Sequence, residues 1–395
     1  MPPIVPDILI DIGRLLYRRL KGHLPTGIDR VGLEYVRHYG GHARAVLAWG
    51  PFSSVLSRPE SERAFQLLLD SEAPATRVIL WLLVNAYLRW WTGPGVTDCV
   101  LLNTSHTGLD NNRYAAGLRR RGARPVFVVC DLIPISHPEY CRAGERERHI
   151  ARMRNAVKAA RGIVTISRDT LEVLRGFADQ AGLRVPPAVA APLAPSLPPA
   201  EPGPRPIAEP YFVIVGTIEP RKNHILLLHL WRELVARHSG ERDALPCLVV
   251  IGQRGWKCEN VVELLERCPE LKGFVIERND CSDADLVTYL HHTQALLFPS
   301  FVEGYGMPLA EALALGTPAI ASNLPVFREV AGEIPEYADP ANARAWTELV
   351  VEYARPDSNR RAAQLERLKG FRATTWQQHF EKVDDFLERE IGNGK

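Results

Sequence analysis

Short β-branched or apolar runs alternate with longer amphipathic stretches along the chain. In the first half the runs are Asp7–Ile12, Ala43–Trp49, Asp98–Leu102, Pro125–Cys130 and Gly162–Ile166. In the second half they are Tyr211–Val215, Leu248–Ile251, Phe274–Ile276, Ala295–Phe298 and Ala319–Ala321. Strand-like runs separated by helical patterns predict βαβ units and parallel sheets. Between the halves, Pro186 to Pro210 holds ten prolines and neither period, which predicts a stiff, extended linker. The expectation is an α/β chain of two Rossmann-like doubly wound domains, residues 1–195 and 196–373, hinged near residue 200. In such sheets ligands bind beyond the carboxyl ends of the strands, so the residues just after each run are the first place to look for chemistry.

Composition sharpens this picture. The 395 residues are 46% apolar and 24% charged, which excludes a disordered or fibrous protein. A formal net charge of +2 conceals an asymmetry: residues 1–195 hold 26 Lys/Arg against 17 Asp/Glu, and the remainder 22 against 29. The halves therefore carry +9 and −7, which suggests different electrostatic duties. None of the seven cysteines shows C-x-x-C spacing, so neither a disulfide framework nor a zinc site is indicated. No secretory signal, internal repeat or nucleic-acid motif is visible. The longest apolar stretch, Val78 to Trp91, is too short to span a bilayer and is expected to be a core helix. A cytoplasmic protein is expected.

Two segments carry chemistry. After the run YFVIV comes Gly216-Thr217-Ile218-Glu219-Pro220-Arg221-Lys222-Asn223-His224. Glycine permits close backbone approach, and a guanidinium fork beside a compact ammonium suits a diphosphate. The competing reading is a solvated basic turn in which Asn223 caps a helix. No G-x-G-x-x-G or Walker lysine motif is present. After the run ALLF comes Pro299-Ser300-Phe301-Val302-Glu303-Gly304-Tyr305-Gly306-Met307-Pro308-Leu309-Ala310-Glu311. Pro308 suits a first helical turn, which puts Glu303–Gly306 at a helix mouth where free N–H groups favour anionic ligand groups. Glu303 projects from the loop and Glu311 sits one turn inside the helix. Two carboxylates so placed can accept hydrogen bonds from a sugar and from a ribose.

Glu303 and Glu311 form an E-x7-E motif within EGYGMPLAEALALGTPAIAS, which resembles retaining glycosyltransferases of family 4. GTIEPRKNH resembles the phosphate-binding segment of that family, and Val330-Ala331-Gly332 and Asp339-Pro340 fit the same pattern. In the first half, Thr26-Gly27-Ile28-Asp29-Arg30 resembles the N-terminal glycine loop and Asp131-Leu132-Ile133-Pro134 a cleft-lining strand end. The resemblance implies a GT-B fold, two Rossmann-like domains facing across a cleft. It also implies a final segment, 374–395, whose helix (Thr374 to Glu390) crosses back to the first domain. Gly216, Thr217, Arg221, Lys222, Ser300, Glu303, Gly304, Tyr305, Gly306, Met307 and Glu311 would then bind the donor, with Arg221, Lys222 and the 304–307 amides stabilising the departing diphosphate without a metal. Asp131 would orient the acceptor hydroxyl or steady charge on the sugar, and Gly27, Arg30 and His106 would meet the acceptor. Many relatives place His just before this Asp; here it is Cys130, and His106 and His137 are candidates for that role, against the competing reading of each as a structural hydrogen-bonder. The implied activity is metal-independent, retaining transfer of a hexose, with no cofactor. GDP-mannose is favoured as donor, with UDP- and dTDP-sugars open, and a surface-polysaccharide or lipid-linked glycan as acceptor. A catalytically silent assembly partner and a nucleotide-sugar epimerase on the same fold are the alternatives.

Other features have blander readings. Asp283-Ala284-Asp285 spells D-x-D, but after Ser282 both acids read as first-turn residues of a helix, not metal ligands. Trp256, in Gly252-Gln253-Arg254-Gly255-Trp256, either lines the nucleotide pocket or packs in the core. The basic runs Arg14–Lys21 and Arg142–Arg161 read as solvated faces, or, with Trp90-Trp91, as a peripheral contact with an anionic membrane.

Overall fold

The computed structural model describes residues 7–23, 25–49, 52–70, 75–88, 97–120, 122–197, 201–237 and 245–392. Thirteen strands are present among them: β1 (Ile8–Asp11), β2 (Arg44–Trp49), β3 (Phe52–Val55), β4 (Val100–Asn103), β5 (Arg124–Val129), β6 (Gly162–Thr165), β7 (Ala188–Ala190), β8 (Tyr211–Val215), β9 (Cys247–Ile251), β10 (Val275–Arg278), β11 (Leu296–Phe298), β12 (Ala319–Ser322) and β13 (Glu336–Ala338). They form two sheets, one in each of two compact units.

The first unit comprises Met1–Ile135, Gly144–Leu193 and Thr375–Lys395. Its sheet runs β3-β2-β1-β4-β5-β6-β7, parallel except for the β2–β3 hairpin. β1, β4 and nearly all of β5 are buried, which is why these strands read as continuous apolar runs rather than alternating ones. The C-terminal helix Trp376–Phe386 belongs here: Tyr39 donates to Asp384 at 2.6 Å, and the His379 ring meets the Ala191 and Pro192 carbonyls and the Tyr35 hydroxyl.

The proline-rich stretch is not wholly a linker. Ala188–Ala190 pairs with β6 as an edge strand, with Ile163 N–H donating to Pro187 and Ala191 N–H to Thr165. An edge position asks for hydrogen bonds on one side alone, so flanking prolines are tolerated there. The run from Val78 also departs from expectation: helix Thr76–Leu88 buries Ile79, Leu82 and Ala86 but exposes Leu80, Trp81, Val84, Tyr87 and Leu88. Trp90 and Trp91 lie outside the described residues.

The second unit comprises Ser136–Ala143 and Ala194–Thr374. Counted within the unit, its six parallel strands run 3-2-1-4-5-6, the dinucleotide-binding order. Apolar clusters lie on both faces of the sheet, one around Trp231, Leu248 and Trp346, the other around Val249, Leu309 and Phe327. Segment Ser136–Ala143, from the first half of the sequence, is tied into this unit. Trp256 Nε1 donates to the Tyr140 carbonyl at 2.9 Å, Lys257 to that of Glu139, and Tyr140 stacks on Phe301. Trp256 therefore anchors this segment, and Arg142 lies over its ring.

Candidate functional site

In a 3-2-1-4-5-6 sheet the strand order reverses between the first and fourth strands, here β8 and β11, and a crevice opens beyond their carboxyl ends. The two segments singled out above are the ones that leave β8 and β11.

Beyond β8 the chain turns at Gly216, whose φ of +138° is open to glycine. Neighbouring Gly252, which follows β9, lies so close that an added Cβ would sit 2.1 Å from the Gly216 carbonyl oxygen. Thr217 and the bridge of Ile218 to Arg254 carry the chain on to a 3-10 turn, Pro220–Lys222. Asn223 closes that turn with φ +58°, and its amide donates to the Pro340 carbonyl at 2.9 Å. Beyond β11, Ser300 and Glu303 precede Gly306, which sits at the N-cap of helix Met307–Ala314 with φ +103°. Phe301 N–H donates to the Arg221 carbonyl at 2.8 Å and locks the two segments together.

Their side chains form a buried lattice. Lys222 Nζ lies 2.5 Å from Glu303 Oε1, and Arg221 Nη1 lies 2.7 Å from Glu303 Oε2. Arg221 Nε meets Glu219 Oε1 at 2.6 Å, and Ser300 Oγ donates to Glu303 Oε1 at 2.8 Å. Burial pushes the Glu303 carboxyl up, but the charges of Arg221 and Lys222, with hydrogen bonds from Lys222 and Ser300, outweigh it and hold it at about 2. Glu303 is thus a permanent hydrogen-bond acceptor at neutral pH. Burial lowers the Lys222 ammonium, opposed by Glu303, and raises the Glu219 carboxyl, opposed by Arg221. Lys222 also sits 4.8 Å from the Phe298 ring centroid. Glu311, buried one turn into its helix, accepts from Ser196 N–H at 3.3 Å, while Tyr305 is buried in the same loop.

Of the residues read from sequence as donor-binding, Arg221, Lys222, Ser300 and Glu303 are brought into contact around one carboxylate. Glu219 was missed. Its signal was a carboxylate two residues ahead of paired cations at a strand end.

Residues 201–361 match the family model described as glycosyl transferases group 1. The matched residues all lie in the second unit. Serotype-specific mannosyltransferase WbdA of Escherichia coli is 28% identical over 264 residues, 61% of this chain and 32% of that protein. O-antigen chain mannosyltransferase B of Escherichia coli is 30% identical over 167 residues, 42% of each chain. The chain thus matches less than half the length of these mannosyltransferases. Among solved structures, sucrose-phosphate synthase from Thermosynechococcus elongatus superposes with a TM-score of 0.63 at 14% identity, over 98% of this chain and 100% of that one. HepE from Anabaena, in complex with UDP and glucose, gives 0.62 at 12%, over 97% and 100%. The fold is GT-B.

Of the residues expected outside that matched region, all but His137 lie in the first unit. Asp131, half-buried after β5, accepts from Ile133 N–H at 3.0 Å through its carboxylate and from His149 Nε2 at 3.2 Å through its carbonyl. Cys130 is buried, and burial pushes its thiol up to about 12. His106, with φ +57°, donates from Nε2 to the Val128 carbonyl at 2.9 Å; burial lowers it to about 3, and His149 adds to the shift. Burial thus favours its neutral form. His149, which the sequence reading passed over, lies 5.8 Å from it, ring to ring. His137 belongs to the segment packed in the second unit, where it bonds to Ser136 and stacks on Tyr140.

Gly27 opens helix Gly27–Tyr39 and is exposed, and Arg30 is half-buried. Between them Asp29 is the structural centre of that turn. It closes a capping box on Thr26 and pairs with Arg14 at 2.8 Å and Arg18 at 2.7 Å. The run Arg14–Lys21 is accordingly more than a solvated face. Asp285 closes a capping box with Ser282, which accounts for half of the D-x-D sequence as helix-start chemistry. Among the described residues no cluster of three His, Cys, Asp or Glu side chains could hold a metal ion, and no helix is long and apolar enough to cross a membrane.

Proposed function

We propose that this protein is a glycosyltransferase that moves a hexose, mannose from GDP-mannose, to a surface-polysaccharide or lipid-linked glycan acceptor, with retention and without a metal. The observation that carries this reading is the Lys222–Glu303–Arg221 lattice at the sheet's switch point, in the loop that leads into helix Met307–Ala314, which carries Glu311. The donor's C1–O bond breaks and the electron pair leaves with the diphosphate. Arg221, Lys222 and the 304–307 amides meet that growing charge, a role worth about 3–4 kcal/mol for a single well-placed donor. Ionised Glu303 accepts from sugar hydroxyls, and Glu311 accepts from ribose hydroxyls. The acceptor hydroxyl attacks on the face the diphosphate leaves and passes its proton to a departing phosphate oxygen. The mannose assignment draws on the mannosyltransferase relatives; UDP, found with HepE, is the rival nucleotide.

A thermal-shift panel of GDP, UDP, dTDP and their sugars in EDTA tests the reading. A nucleotide at 100 times its dissociation constant stabilises by about 2.7 kcal/mol. GDP and GDP-mannose are expected to raise the melting temperature and radiolabelled mannose to reach a glycan acceptor. A response to UDP alone would overturn the donor, and silence to all nucleotides would favour a non-catalytic assembly partner.

A further inference from the structure

Helix Thr76–Leu88 in the first unit presents Leu80, Trp81, Val84, Tyr87 and Leu88, each between 45% and 70% exposed. At spacings of 0, 1, 4, 7 and 8 these five side chains share one face, while Ile79, Leu82 and Ala86 bury the opposite one. A continuous apolar stripe of this size on a water-soluble surface marks an interaction site. Arg77 stands one turn ahead of Leu80 on the same face, and Arg63 lies 5.4 Å from the Trp81 ring centroid. The helix packs against Gly13–Leu20, where Arg14 and Arg18 pair with Asp29, Arg19 donates to the Asp70 carbonyl and Tyr17 is 52% exposed. Neither helix contains an Asp or Glu, and Lys21 and Arg77 are both exposed.

We infer that this face docks on a bilayer containing anionic lipid. The occupant follows from the chemistry: Trp and Tyr sit well at a headgroup boundary, aliphatic side chains enter the acyl edge, and cations meet lipid phosphates. Thirteen residues are too few to span a hydrocarbon core, so the helix lies in the plane of the surface. Nothing in this inference depends on the donor site, which lies in the other unit.

Flotation of the full chain with phosphatidylcholine vesicles, with and without phosphatidylglycerol, tests it. The chain is expected to float with the anionic vesicles at low salt, less so at high salt, and to stay behind with phosphatidylcholine alone. Val84→Glu combined with Tyr87→Glu changes exposed positions, so an unchanged melting temperature is expected with a loss of bound protein on the order of tenfold. Lys21→Glu should weaken binding without touching the stripe. A chain left in the soluble fraction with anionic vesicles would overturn the proposal, as would a double variant that floats like the parent. So would light scattering that shows a concentration-dependent dimer dissolved by the double variant, which would assign the face to a second copy.

Discussion

Lys222 Nζ and Glu303 Oε1 stand 2.5 Å apart although 81 residues separate them in sequence, and both side chains are buried. Glu303 also engages Arg221, so one carboxylate holds both cations that were expected to grip a diphosphate. Removing one partner of a buried pair strands the other charge, at a cost of about 3–5 kcal/mol. Lys222→Met and Glu303→Leu should each lower stability by that order in urea denaturation, and the double variant should recover much of the loss. Transfer should be abolished in all three. Additive losses in the double variant would show that the pair is not coupled.

The two motif carboxylates should separate in binding assays. Glu311→Ala is expected to weaken the thermal shift from free nucleotide. Glu303→Ala is expected to leave nucleotide able to bind and to reduce turnover on the order of a hundredfold or more. Calorimetry with the nucleotide and kinetics with the nucleotide sugar distinguish the two, and identical profiles would argue against separate ribose and sugar duties.

Gly306 sets the helix mouth. A Cβ there would meet Phe327 Cε1 at 2.7 Å, in addition to the strain of φ +103°. Gly316, at the other end of the same helix with φ +77°, has nothing within 4 Å of such a Cβ. Gly316→Ala should therefore cost about 1 kcal/mol, from backbone strain alone. Gly306→Ala should cost more, and it should also weaken nucleotide binding by shifting the 304–307 amides. Equal losses in urea denaturation would show that Phe327 yields freely.

Buried histidines make the fold acid-sensitive. Burial lowers His224 to about 3, helped by the Lys222 charge, and among the described residues neither ring nitrogen has a hydrogen-bond partner. The unfolded chain binds that proton near 6.5, so the stability His224 contributes is complete above 6.5 and is lost as pH falls toward 3. Asp11 has the opposite sign. Burial raises it to about 6, against hydrogen bonds from Tyr114 and Gly13, so its contribution is complete below 3.8 and is lost as pH rises through 6. His224→Leu should flatten the fall in urea midpoint between pH 6.5 and 4, and Asp11→Asn the fall between pH 4 and 6. Unchanged slopes in both would mean that neither group titrates within the fold.

Alternating apolar runs and helical patterns were enough to read two doubly wound units, because the periodicity of side-chain burial is written locally. The positions of Glu303, Glu311, Arg221 and Lys222 at strand ends were legible for the same reason: a strand end and a helix start each leave a mark within a few residues. Partnership was not legible. That Glu219 turns Arg221, that Asn223 reaches Pro340, and that Glu303 holds two cations depend on the order in which strands pair, which joins residues far apart in the chain. Ala188–Ala190 became a strand because β6 offered an open edge, and Ser136–Ala143 joined the second unit because Trp256 and Phe301 hold it there. The run after Thr76 shows the same division most plainly. Its sequence determined that it is an apolar helix, but how far a helix is covered is a property of the folded chain, and the tertiary structure decided that Leu80, Trp81, Val84, Tyr87 and Leu88 stay exposed.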